Sequence, residues 1–147
     1  MNGIINLPGD APVDLTSLPV LIFYGQKSGS TYAIPSSNVV QSCNPDYFTY
    51  DSSTREFTCK KSFTGNVYIL STSNMNAAGS SNVITYCRWR LYIDGSRYAD
   101  TGSGNSVGRY NTYENVPFTA NGITYIQGYC YGNSKSGYGD FLYIVKL

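Results

Sequence analysis

The sequence predicts an all-β fold, an antiparallel β-sandwich or jelly roll of about eight to ten strands behind an extended N-terminal arm. Three observations carry this. Short runs rich in Val, Ile, Thr, Tyr and Phe recur along the chain, and several alternate apolar and polar residues with the period of two that a half-buried strand requires. Turn signals built on Gly, Asn, Asp and Ser separate these runs. No segment carries a convincing helical period, and no internal repeat is visible. The 147 residues fit one domain large enough to bury a core.

Residues 1–30 differ from the rest and are read as an attachment arm, with the head domain spanning 31–147. Pro8, Pro12 and Pro19, with Gly3, Gly9, Gly25 and Gly29 around them, exclude a regular helix and suit an extended segment laid on another surface. Ile4, Ile5, Leu7, Val13, Leu15 and Leu18 are the expected docking contacts, because a solvated tail has fewer apolar residues. The alternative is a flexible tail followed by a first strand at 20–24.

Strands are expected at 38–43 and 47–50, divided by Asn44-Pro45-Asp46, and then at 56–60 and 66–72, divided by a turn containing Gly65. The run 83–93 reads as the longest strand. Val83, Cys87, Trp89, Leu91 and Ile93 form its apolar face, while Arg88 and Arg90 point the other way. Trp89 is therefore expected in the core. Asp94-Gly95 closes a hairpin, and strands at about 107–118, 123–131 and 140–146 follow. If successive strands run up and down, the polar connections 73–82, 101–106 and 132–139 emerge at one end. The tight turns at Asp94-Gly95 and Ala120-Asn121-Gly122 then sit at the other. Loops on a rigid scaffold are where recognition usually resides.

The last strand is apolar on both faces, with Phe141, Tyr143, Val145 and Leu147 on one and Leu142 and Ile144 on the other, so both sides need cover. One cover is the sandwich core and the other a neighbouring subunit. Tyr125, Tyr129 and Tyr131 alternate on the preceding strand and suit an interface, since tyrosine offers large area with a polar tip. Together with Phe141, Tyr143 and Val145 they are the interface candidates; the alternative is that the tyrosines line a large core.

Composition narrows the function. A net charge of +1 provides no phosphate-neutralising surface, so nucleic acid is not an expected partner. The absence of histidine removes Ser-His-Asp and Cys-His pairings and the common zinc ligand sets. Glu56 and Glu114 are the only glutamates and show no shared acid/base spacing. Asp46 with Asp51, or Asp94 with Asp100, could contribute to a calcium site, but turn formation is the commoner use of such aspartates. No enzyme activity, cofactor or metal is expected. The N-terminal residues lack the basic and apolar regions of a signal peptide, and the apolar run Pro19–Tyr24 is too short to span a membrane. None of the thirteen asparagines lies in an Asn-x-Ser/Thr acceptor. Cys43, Cys59, Cys87 and Cys130 allow three disulfide pairings, but reduced, core-facing thiols are the expectation. Tyr110, Tyr113 and Tyr138, with Asn74, Asn76 and Asn105, are the ligand-contact candidates, combining aromatic and amide groups suited to sugar.

The stretch 53–70 resembles the complement-type globular head of the tumour-necrosis-factor-like jelly-roll superfamily. Phe57 and Cys59 match its Gly-x-Phe-x-Cys strand and Tyr68 its Gly-x-Tyr, with Gly65 displaced by one residue. Asp94-Gly95 resembles the hairpin after the long middle strand. Phe118 to Ile123 resembles the Leu-x-x-Gly-Asp segment, with Ile123 in place of the acid, and Phe141-Leu142-Tyr143-Ile144 resembles the terminal strand without its glycine. The resemblance covers residues 47–147. It implies a ten-strand jelly roll forming a compact trimer, of the kind found in bacteriophage fibre tips, head fibres and capsid decorations. The expectation is thus a homotrimeric virion structural protein, assembled in the host cytoplasm and attached to capsid or tail proteins through its arm, with no membrane partner. The alternative is a receptor-binding tip recognising a host-surface glycan.

Overall fold

The computed structural model describes residues 4–5, 13–14, 18–74, 84–101, 108–132 and 138–147. Twelve strands and no helix occur among them. β1 (Ile4–Ile5) and β2 (Val13–Asp14) pair only with each other. The remaining strands are β3 (Pro19–Lys27), β4 (Ser37–Cys43), β5 (Phe48–Asp51), β6 (Glu56–Cys59), β7 (Phe63–Asn74), β8 (Ile84–Ile93), β9 (Ser96–Asp100), β10 (Gly108–Phe118), β11 (Ile123–Gly132) and β12 (Tyr138–Lys146). They form two five-stranded antiparallel sheets, ordered β10-β7-β12-β3-β4 and β5-β6-β11-β8-β9. Most pairings nest: β3 with β12, β6 with β11, β7 with β10 and β8 with β9, alternating between the sheets.

The core lies between the sheets, and the period of two decides what enters it. Along β12, Gly139, Phe141, Tyr143 and Val145 are buried, while the residues between them are partly exposed. The facing strands supply Trp89 and Leu91 from β8 and Thr124 and Ile126 from β11. Trp89 is fully buried, in line with its place on the apolar face of the strand. Phe48, Phe57, Phe63 and Phe118 form a cluster of mostly edge-to-face rings, with Phe63 and Phe118 stacked at 4.9 Å. Tyr143 carries its hydroxyl into this interior. Thr124 Oγ1 donates to the Tyr92 carbonyl at 2.7 Å, so the Tyr143 hydroxyl donates to Thr124 Oγ1, also at 2.7 Å. Burial raises the Tyr143 phenol above its ordinary range.

Three sequence expectations need correction. The arm does not extend to residue 30: β3 lies between β12 and β4, and its Val20, Leu21 and Phe23 are core. Proline at the first residue of a strand is tolerated, so Pro19 opens β3. Second, Phe141, Tyr143 and Val145 are fully buried between the sheets and cannot meet a neighbouring subunit; the outward phase of β12 is Leu142 and Ile144. Third, β7, with twelve residues, is longer than β8.

The tight-turn end matches expectation locally. Asp94 and Gly95 both have positive φ (53° and 76°), the geometry of a type I′ hairpin turn. The Asp94 carboxylate accepts the Thr119 N–H at 3.1 Å, and Gly95 N–H donates to the Ile123 carbonyl, so the 94–95 and 119–122 turns brace each other.

Candidate binding surfaces

Register gathers the polar connections. Tyr138 lies opposite Asn74, Gly108 opposite Thr72, Gly139 opposite Lys27, and Gly132 opposite Ile84. The strand ends flanking 75–83, 102–107 and 133–137 therefore sit at one end of the sandwich, with 28–36 beside them. The connections themselves, including Asn76 and Asn105, lie outside the described residues. So do Leu7 and Leu15 of the N-terminal segment and the side chains of Ile4, Ile5, Val13 and Asn74. Leu18 is exposed immediately before β3.

The remaining ligand candidates do not converge. Tyr110 is exposed on the outer face of the first sheet, and Tyr138 projects from the same face at the loop end. Tyr113 turns inward and meets Trp89 edge-to-face at 6.2 Å.

Outward phases of the two sheets differ sharply. On the first, Ile22 and Tyr24 of β3, Leu142 and Ile144 of β12, Tyr68 and Leu70 of β7, Tyr110 of β10 and Val40 of β4 make a broad apolar surface. Tyr68, Leu70, Tyr110, Leu142, Ile144 and Lys146 line a shallow depression in it. Toward the loop end this face becomes polar: the Asp140 carboxylate accepts Tyr24 Oη–H at 2.6 Å, Gln26 Nε2–H at 2.8 Å and Thr72 Oγ1–H at 3.3 Å. Burial, and then the bond to Asp140, raises the Tyr24 phenol.

On the second sheet the outward phase reads Tyr86, Arg88, Arg90, Tyr92 along β8 and Tyr125, Gln127, Tyr129, Tyr131 along β11. Antiparallel register sets Tyr86 against Tyr131, Arg88 against Tyr129, Arg90 against Gln127 and Tyr92 against Tyr125. Such cross-strand pairs are the stabilising units of a sheet face. The Tyr86 ring stacks with Tyr131 at 5.2 Å and with Tyr129 at 6.1 Å, and Tyr92 stacks with Tyr125 at 4.6 Å. A bridge between Ala33 and Gly128 brings Tyr32 alongside Tyr129, where the Arg90 guanidinium lies 3.7 Å from its ring centroid. Of the expected interface residues, Tyr125, Tyr129 and Tyr131 lie here. They share no surface with Phe141, Tyr143 and Val145.

Tyr86, Tyr92, Arg88, Arg90 and Tyr32 were not among the candidate site residues. The signal was present as Tyr-x-Arg-x-Arg-x-Tyr in one phase of β8. The contribution of Tyr32 depends on a non-local bridge and left no local mark.

All four cysteines are free thiols. Cys87 and Cys130 lie opposite each other in register with sulfurs 3.3 Å apart, and Cys130 also donates to the Lys27 carbonyl. The hydrogen bond to Cys130, reinforced by burial, raises the Cys87 thiol. Burial alone raises Cys43, and burial is the main cause at Cys59. The acidic pairs serve local structure: Asp51 accepts from Ser53 and Thr54, Asp94 braces Thr119, and Asp100 pairs with Arg97 at 3.8 Å. Among the described residues no group of three Cys, Asp or Glu side chains is placed to hold a metal ion. No protein-family model matches the chain, and no curated protein matches it.

Proposed function

We propose that the chain is a non-enzymatic structural subunit of a bacteriophage particle, of the head-fibre, capsid-decoration or tail-fibre type, folded as a jelly roll and assembled as a homotrimer. The nested pairings support the jelly roll, because they are those of one long antiparallel ribbon rolled into two sheets. The apolar outer face of the first sheet carries the assembly reading. Tyr110 is 63% exposed and Val40 61% exposed there, on either side of Leu142 and Ile144, and a second copy of the chain relieves that exposure. This moves the interface from the expected Phe141 phase to the Leu142 phase of the same strand. The N-terminal segment, shortened to residues 1–17, is the attachment element.

Light scattering on the purified full chain tests the assembly. A native mass near three times 16.1 kDa, unchanged by reductant, is expected, and a monomer sinks the reading. Removal of residues 1–17 should leave that mass per subunit assembly intact while abolishing co-sedimentation with particles that lack the subunit. Loss of the trimer on truncation would instead make the segment an assembly strand.

A further inference from the structure

We infer that the outer face of the second sheet is a binding site for a carboxylate-bearing glycan, centred on Arg88 and Arg90 and framed by Tyr32, Tyr86, Tyr129 and Tyr131. The first ground is charge without a partner. Among the described residues neither arginine makes an ion pair or a hydrogen bond to an acid. Asp100, opposite Arg90 in register, pairs with Arg97 instead, and Glu56 lies toward the Tyr125 end of the face. The Nε atoms of both arginines and the Tyr32 hydroxyl are buried with no hydrogen-bond partner. Two guanidiniums thus lie against aromatic rings, Arg90 3.7 Å from the Tyr32 centroid and Arg88 6.0 Å from that of Tyr129, and neither is neutralised by an acid among the described residues. A carboxylate accepts two parallel N–H bonds from such a group.

The second ground is how the tyrosines are used. Tyr86 stacks with Tyr129 and Tyr131, and Tyr32 packs against Tyr129 and the Arg90 guanidinium, so ring faces are spent on neighbours in the sheet. Rings packed on one another in the sheet are poorly placed to receive a run of successive bases, which disfavours single-stranded nucleic acid. The face presents phenol hydroxyls, the Gln127 amide and guanidinium donors, which match a polyhydroxylated, carboxylated ligand. Packing the face against itself in an oligomer would bring the arginines of two copies together without acids to offset them. The site depends on the second sheet alone and not on the proposed trimer.

Binding of the full chain to oligogalacturonate and to oligosialic acid should be measured by calorimetry, with maltohexaose and a sixteen-nucleotide oligo-dT as comparison probes. These two acidic probes separate uronic from sialic sources of the same carboxylate chemistry. The expected result is saturable binding to at least one of them, weakened at least tenfold by Arg88→Gln with Arg90→Gln and by Tyr129→Ala, and unchanged by Lys60→Gln at the opposite end. Native mass and circular dichroism of each variant distinguish loss of the site from loss of assembly or fold, and the two single Arg→Lys variants, which keep charge but lose the planar fork, should fall between. No saturable binding to either acidic probe, equal affinity for maltohexaose, preference for oligo-dT, or full binding by the double Arg→Gln variant overturns the inference.

Discussion

The two sheets share one interior but turn opposite surfaces outward. In β12, both phases are apolar, with Phe141, Tyr143 and Val145 inward and Leu142 and Ile144 outward. In β8, only the inward phase is apolar, with Cys87, Trp89 and Leu91 buried, and the outward phase carries tyrosine and arginine. A strand apolar in both phases needs cover on both sides, whereas one with a polar outer phase is at home in water. The same scaffold thus separates a face suited to assembly from one suited to recognition.

Two residues in opposite phases of β12 offer the strongest way to break this contrast. Phe141→Ala removes a fully buried ring and should cost about 3–5 kcal/mol of unfolding free energy. Ile144→Asp, three positions on in the other phase, should leave the denaturation midpoint of the isolated subunit nearly unchanged while reducing the native mass to that of a monomer. Chemical denaturation and light scattering on both variants check the pair. If Ile144→Asp unfolds the chain or leaves the native mass unaltered, the outer face is not the assembly surface.

Gly139 tests the inward side at the loop end. A Cβ there would lie 2.5 Å from the Cys87 sulfur, 2.6 Å from that of Cys130 and 2.9 Å from the Phe141 ring. Gly139→Ala should therefore destabilise by about 1–3 kcal/mol through overpacking, measured by thermal unfolding. Cys87→Ala in the same chain removes one of the three obstacles and should recover part of the loss. A neutral Gly139→Ala would show that the two sheets can separate locally.

At the opposite end, Asp94→Ala should cost about 1–2 kcal/mol, because alanine is strained at positive φ and the Thr119 N–H loses its acceptor. Asp94→Asn keeps both a tolerated φ and an oxygen at the same place, so its unfolding midpoint should stay close to that of the native chain.

How much of this was legible follows from the range of each interaction. The strands of the head, the 94–95 turn and the burial of Trp89 rest on patterns within a few residues, and the chain displays them openly. The inward phase of β12 was not readable, because Phe141 and Leu142 are both apolar and only the opposing sheet decides between them. One local clue existed: Gly139 shares a phase with Phe141, and only a glycine leaves room there for the Cys87 and Cys130 sulfurs. β3 was legible only as the alternative, a first strand at 20–24, because the proline-rich composition before it favoured an extended arm. On β8 the outward Arg88 and Arg90 were visible from alternation alone, but the binding surface they centre was not, since Tyr32 arrives through the Ala33 bridge from a distant part of the chain.

The smallest effect expected concerns a polar link between the sheets' interiors. Tyr143 on the first sheet donates to Thr124 on the second, and Thr124 in turn donates to the Tyr92 carbonyl. Tyr143→Phe removes the outer member of this chain but leaves Thr124 still donating to Tyr92, so no buried donor is orphaned. The cost should be about 1 kcal/mol, the net value of one hydrogen bond. Thr124→Val differs in kind, because it leaves the buried Tyr143 hydroxyl without its partner. Its cost should exceed that of Tyr143→Phe, and the double variant should be less destabilised than the sum of the two. Equal single costs that add would mean that the hydroxyls act separately and that apolar packing alone holds the two sheets in register.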